Sequence, residues 1–242
     1  MKVVRDRVYK GDPFADGDFS DVRPSLQGWR SRHAAFDAVM AANRPKRIIE
    51  VGVWMGKAIV HMSRLAKSLG IEDVEILAVD TWLGSPEHWI NEKWHESLRI
   101  EGGYPSIYKT FAANMIAQKL TDIVTPLPVP AETASVILTE FGVKADLVHL
   151  DAGHEYESVL ADIRNFWPLV AEDGVIIGDD YLIGTYPGVE KAFKEYAAEH
   201  GLALIGTKGK CILSREPVSG LEGVDGLDIL ETFAPGEVTP VA

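Results

Sequence analysis

The sequence predicts an α/β fold in which a mostly parallel β-sheet is wrapped by helices on both faces. Two observations predict it. From residue 46 to residue 200, short apolar runs alternate with stretches whose apolar residues recur at helical spacing. Strand–helix crossovers of this kind build parallel sheets covered on both sides. The alternation then ends in two apolar runs, residues 202–206 and 210–214, split by a short Thr-Lys-Gly turn. That spacing makes a β-hairpin, so the last strand runs antiparallel to the rest.

Each element follows from its own stretch of chain. About the first 25 residues are polar and punctuated by Gly and Pro, an arm lying over the surface. Residues 27–42 place Trp29, Ala34, Phe36, Val39 and Met40 at helical spacing and predict a helix, which Pro45 ends. Arm and helix together make up residues 1–44. Residues 46–51 read as a buried strand with a charged tip, 58–69 as a helix and 75–80 as a strand. A helix over 106–120 leads to a short strand at 123–127, where Pro126 and Pro128 place it near an edge of the sheet. The pattern continues with a helix at 132–141, a strand at 145–150, a helix at 156–170, a strand at 174–178 and a helix at 189–200.

Residues 81–105 break the rhythm. This segment carries Trp82, Trp89, Trp94, His88 and His95 and is far longer than an ordinary strand-to-helix connection. It follows the carboxyl end of a strand, where ligands bind in such sheets, so it is expected to act as a lid. The plainer alternative is that its tryptophans only pack a satellite core. The main domain is expected over residues 45–215. Residues 216–242, with Pro217, Pro235, Pro240 and several Gly, read as a tail without chemistry, suited to packing on a neighbour.

Composition narrows the function. The 242 residues suffice for one large α/β domain, and 46% hydrophobic with 25% charged residues is ordinary for a globular core. No apolar run approaches the roughly 20 residues of a membrane span. The first residues lack the apolar stretch of a secretory signal, which makes a cytoplasmic location the default expectation. The single cysteine, Cys211, excludes an internal disulfide and a Cys-based zinc site, and its apolar neighbours mark a buried inert thiol. Lys plus Arg number 24 against 36 Asp plus Glu, a net charge of −12 with no basic cluster. Such a chain is a poor nucleic-acid binder, because phosphate contacts supply most of that affinity. A small-molecule or cationic partner fits better.

Four motifs carry chemistry. In Glu50-Val51-Gly52-Val53-Trp54-Met55-Gly56, Gly52 permits a sharp turn and close approach of a ligand to the backbone, and Gly56 permits tight packing of the following helix. Asp80, at the end of the next strand and followed by Thr81 and Trp82, can accept the hydroxyls of a ribose. Glu50 would repel a pyrophosphate but suits an amino group or a sulfonium-bearing amino acid. Leu150-Asp151-Ala152-Gly153-His154 and Gly178-Asp179-Asp180-Tyr181 end neighbouring strands about 5 Å apart, so Asp151, Asp179 and Asp180 are expected to converge. Three carboxylates in one cleft call for a hard cation such as Mg²⁺, unless some of them only cap helices.

Together these residues resemble the class I S-adenosylmethionine-dependent methyltransferases. More narrowly, the resemblance is to the macrocin-type small-molecule O-methyltransferases, and it spans roughly residues 45–215. It implies a Rossmann-like seven-stranded sheet with an antiparallel last strand, in agreement with the terminal hairpin. It also implies that Glu50, Gly52 and Gly56 line the methionine part of S-adenosylmethionine and that Asp80 holds the ribose, with Val53, Thr81 and Trp82 also among the cofactor-binding residues. In metal-dependent members the acids corresponding to Asp151, Asp179 and Asp180 bind Mg²⁺, which would hold and acidify the acceptor hydroxyl. The sequence departs from its relatives where they show Asp-Gly-Asp and this chain has Asp151-Ala152-Gly153. The second acid is missing, which makes His154 the candidate substitute base beside Asp151, the alternative being a hydrogen-bonded structural histidine, and puts a sugar acceptor in question.

The expected reaction is therefore methyl transfer to a hydroxyl of a small molecule, a glycoside or an aromatic natural product, by a homodimer or larger oligomer. Metal-free transfer is its nearest variant. A nicotinamide-dependent oxidoreductase is disfavoured by Glu50 and by the missing third glycine. A non-catalytic cofactor-binding protein would tolerate loss of Asp151 and Asp180. A serine hydrolase is excluded by the lack of a Gly-x-Ser-x-Gly elbow.

Overall fold

The computed structural model describes residues 2–221 and 223–239. Its strands are β1 (Arg47–Val51), β2 (Glu75–Val79), β3 (Val124–Leu127), β4 (Ala145–Leu150), β5 (Val170–Tyr181), β6 (Ala203–Thr207), β7 (Gly209–Ser214) and β8 (Ile229–Phe233). They form one sheet in the order β3-β2-β1-β4-β5-β7-β6-β8. The first five are parallel. β7 runs antiparallel to both β5 and β6, and the proline-bearing β3 lies at an edge as expected.

Successive strand residues point to opposite faces, and both faces are apolar. Ile49, Val51, Leu77, Val79, Val148 and Leu150 face one core. It is completed by Leu138, Ile163 and Phe193 from helices Ala131–Glu140, Tyr156–Phe166 and Pro187–His200. Ile48, Ile76, Ala78, Leu147, Val175 and Ile177 face the other core. There Val39, Ile59 and Phe111 come from helices Ala34–Asn43, Lys57–Ser68 and Ile107–Ala117. The chain leaves β1 towards β2 on one side and returns to β4 on the other. This switch of direction opens a crevice outside the carboxyl ends of β1 and β4.

Several boundaries differ from the sequence expectation. The first long helix begins at Ala34, where His33 accepts the N–H of Ala35 as a cap. Residues 27–32 are irregular instead, and Trp29, counted in the helical pattern, is half exposed. The helix from Tyr156 ends at Phe166, where Pro168 tightens the chain into a 3₁₀ turn over Trp167–Leu169. The tail contributes an eighth strand: β8 pairs antiparallel with β6, and its Glu231 accepts hydrogen bonds from Tyr181 (2.6 Å) and Lys194 (3.0 Å). The alternation Ile229, Glu231, Phe233 on its inner face carried that signal. The N-terminal arm also has a structural task. Arg5 donates to the carbonyls of Thr121 and Val124, covering the open edge at β3.

Residues 81–105 fold into helices Pro86–Ile90 and Glu92–His95 and a 3₁₀ turn, Glu96–Leu98. Their tryptophans differ in burial. Trp82 is only 2% exposed and packs on Tyr108 and Phe111, so it belongs to the core. Trp89 is 47% exposed. Among the described residues no helix is long and apolar enough to cross a membrane. Cys211 is fully buried, and burial pushes its thiol well up.

Candidate active site

The crevice holds a cleft of about 260 Å³ lined by the ends of β1, β2 and β4, by residues 27–31 and by the start of the 81–105 segment. Its floor is the loop after β1. Gly52 has φ 85°, and a Cβ there would strike the backbone of Asp151. Only glycine fits such a position. Gly56, at φ 80°, lets the loop seat against helix Ile107–Ala117: a Cβ there would press on Met115 and Phe111.

Asp80 ties this loop down. Its Oδ2 accepts the N–H groups of Val53 and Trp54, both at 2.8 Å, and its Oδ1 accepts that of Trp82 at 2.7 Å. Burial pushes its carboxyl up, against these N–H groups, which favour the charged form. The residue expected to hold a ribose therefore spends most of its acceptor capacity on shaping the loop. Val53 and Thr81 line the cleft. Trp82 lies beneath it and reaches the site only through its backbone and an indole N–H given to the carbonyl of Trp54 (2.8 Å).

Glu50 lies on the cleft floor and is 1% exposed. Its Oε1 is 3.5 Å from His149 Nδ1, while Oε2 is buried with no hydrogen-bond partner among the described residues. Burial raises its carboxyl well above the usual range, with Lys210 opposing. A buried carboxylate oxygen without a donor is costly, and an ammonium or amino group entering the cleft would satisfy it.

The three acids expected to converge do so only in part. Asp151 forms one group with His149 and Asp179 and another with His154 and Asp180; within each group the ligand-type atoms lie within 4.8 Å of one another. Asp179 and Asp180 are neighbours in β5 but turn apart. Asp179 Oδ1 meets the fully buried ammonium of Lys210 at 2.9 Å. Burial alone would raise the Asp179 carboxyl; Lys210 holds it below its ordinary value. Asp151 is pushed well up, first by burial and then by the charge of Asp179. Asp180, in a left-handed conformation at φ 57°, accepts from Arg30 on one carboxylate oxygen and meets His154 Nε2 at 2.9 Å with the other. That hydrogen bond raises the His154 pKa against the effect of burial. The His154 ring also stacks on Tyr186, with centroids 4.3 Å apart.

Sequence reasoning missed Lys210, His149, Arg30 and the aromatic wall. The first two had a signal: a lysine second in a buried apolar strand, and a histidine between Val148 and Leu150. Arg30 and Trp29 were masked by their place in an apparent helix. Trp54 lies against His88 with ring centroids 4.3 Å apart, and Trp29 meets Trp94 at 5.2 Å.

Fold and cleft together define a Rossmann-like α/β domain of the methyltransferase type. Residues 49–181, more than half of the chain, match the methyltransferase-domain family, and the chain belongs to that family. It carries a methyltransferase domain. It is 28% identical over 188 residues to the uncharacterized protein y4gI of Sinorhizobium fredii, covering 72% of this chain and 18% of that one. The chain thus spans less than a fifth of the length of the curated relative it matches. Among solved structures, it is similar in fold to the O-methyltransferase NovP, with a TM-score of 0.56 and 22% identity over 88% of this chain and 95% of that one. It is also similar to the O-methyltransferase TomG from Streptomyces achromogenes, involved in tomaymycin synthesis and solved with S-adenosylmethionine. That match has a TM-score of 0.55 and 12% identity over 88% and 86% of the two chains.

Proposed function

We propose that this chain transfers a methyl group from S-adenosylmethionine to a hydroxyl of a small molecule, with His154 as general base. The observation that carries this reading is the pairing of His154, which lines the cleft, with the buried Asp180 behind it. With a proton on Nε2 donated to Asp180, Nδ1 is left without one and is free to accept.

The residues present fit the cofactor. The unpartnered Glu50 Oε2 suits its amino group, and the glycine-built loop at Gly52, Val53 and Gly56 gives its methionine part backbone to lie against. Asp80 and Thr81 stand where a ribose would meet the cleft, Asp80 with what acceptor capacity the loop leaves it. Bound there, S-adenosylmethionine supplies an electrophilic methyl group on a sulfonium. His154 Nδ1 takes the proton of the acceptor hydroxyl, and Asp180 stabilises the imidazolium that forms. Trp29, Trp54 and His88 offer flat faces on which an aromatic or glycosyl acceptor can stack. The similarity to NovP and TomG supports a hydroxyl as the acceptor group.

A divalent ion on Asp151, Asp179 and Asp180 fits less well. Asp179 is already paired with Lys210, and Asp180 with Arg30 and His154. Incubation with phenolic and nucleotide-sugar acceptors, reading S-adenosylhomocysteine formation, tests the proposal. Turnover by the wild type that His154→Ala abolishes supports it; turnover confined to amine acceptors, or unaffected by His154→Ala, refutes it.

A further inference from the structure

Lys210 is the least expected residue of the site. It is the second residue of β7, directly opposite Asp179 in the antiparallel register, and its side chain is fully buried. The ammonium is held by neighbours of different kinds. Nζ lies 2.9 Å from Asp179 Oδ1, donates to His149 Nε2 at 3.1 Å, and stands 4.7 Å over the ring of Phe36. Burying an ammonium is expensive unless it is paired and hydrogen-bonded, and here it is both.

Its position has a chemical consequence. His149, Asp151 and Asp179 are a constellation of the kind that holds a metal ion. The ammonium of Lys210 already touches two of the three. Donation by Lys210 consumes the Nε2 lone pair of His149 and leaves the ring proton on Nδ1, which faces Glu50 Oε1 at 3.5 Å. A divalent ion among these groups would meet both a used ligand atom and a like charge in a buried setting, where repulsion is poorly screened. In the second group, Asp151, His154 and Asp180, the Asp180 carboxylate is held by Arg30 and His154.

We propose that the buried ammonium of Lys210 is the built-in cation of this site: it stands in for a divalent metal, so that methyl transfer here is metal-independent. Its charge also acts on Glu50 at the cleft floor, favouring the ionised form of that carboxyl. This rests on the methyltransferase reading for the use of the site, but its geometry stands separately. Lys210 does not line the cleft, and it acts on the cleft through the charges and side chains beside it.

The test is a calorimetric titration of Mn²⁺ and Mg²⁺ into chelator-treated wild type, followed by S-adenosylmethionine with and without Mg²⁺. The proposal predicts no saturable metal binding in the micromolar range and the same S-adenosylmethionine affinity in chelator as in Mg²⁺. Lys210→Met is predicted to weaken S-adenosylmethionine by about tenfold and to gain Mn²⁺ binding, as Asp179 and His149 lose their partner. Saturable micromolar Mn²⁺ binding to the wild type that Asp179→Asn removes would overturn the proposal, whether or not Lys210→Met folds. Failure of S-adenosylmethionine to bind, with metal binding also absent, would instead count against the methyltransferase reading alone.

Discussion

His154, on the wall of the cleft, sets its Nε2 2.9 Å from the Asp180 carboxylate, which turns the other imidazole nitrogen, Nδ1, away from that partner. His154→Ala is predicted to lower kcat by about 10²- to 10⁴-fold with little change in S-adenosylmethionine affinity. Asp180 raises the His154 pKa above its ordinary value, and a base acts only when neutral. The rate therefore rises as pH climbs through that raised value. Asp180→Asn should move the rising limb to lower pH and lower the plateau, as a kcat–pH profile of the two proteins would show.

Glu50 couples cofactor binding to a cost in stability. Burial raises its carboxyl well above the usual range, so holding it ionised near neutral pH destabilises the fold. That contribution is favourable at low pH and is lost as pH rises through the raised value. Glu50→Gln is predicted to hold or raise Tm at pH 8 while weakening S-adenosylmethionine by about 1.5–3 kcal/mol, the range for a hydrogen bond to a charged group. Calorimetry and thermal melts on one preparation separate the two effects.

Asp80 is an anchor of the loop that lines the cleft. Removing its carboxylate strands the N–H groups of Val53, Trp54 and Trp82. Asp80→Ala should cost on the order of 3 kcal/mol of stability together with most cofactor affinity. Urea denaturation measures the first loss. An unchanged midpoint would mean that Asp80 serves the ligand and not the loop.

Asp162 tests the electrostatics away from the cleft. It is 9% exposed on helix Tyr156–Phe166, and burial raises its pKa to about 6. A raised carboxyl stabilises the fold below the unfolded value near 4 and loses that contribution as pH rises through about 6. Asp162→Asn should therefore stabilise the protein by on the order of 2 kcal/mol at pH 8 and hardly at all at pH 4. Denaturation at the two pH values checks the sign.

Much of the fold was legible because its strands are buried on both faces. Ile48, Ile49 and Val51, or Val175 to Ile177, can only be inner strands. The tips of those strands were legible too, since Gly52 and Asp80 stand where chain geometry demands them. What stayed hidden depends on register and on long-range pairing. Lys210 meets Asp179 only because β7 pairs with β5 in one register. Arg30 reaches Asp180 across 150 residues of chain. β8 was obscured by the Gly and Pro around it, and Asp80's grip on the loop requires backbone positions that residue spacing does not give.

The most direct test of the central claim is a calorimetric titration of S-adenosylmethionine, with NAD in parallel, against the wild type and Glu50→Gln. Micromolar binding of S-adenosylmethionine, weakened in Glu50→Gln and absent for NAD, is the predicted result. Binding of NAD without binding of S-adenosylmethionine would contradict the account and assign the cleft to a nicotinamide cofactor.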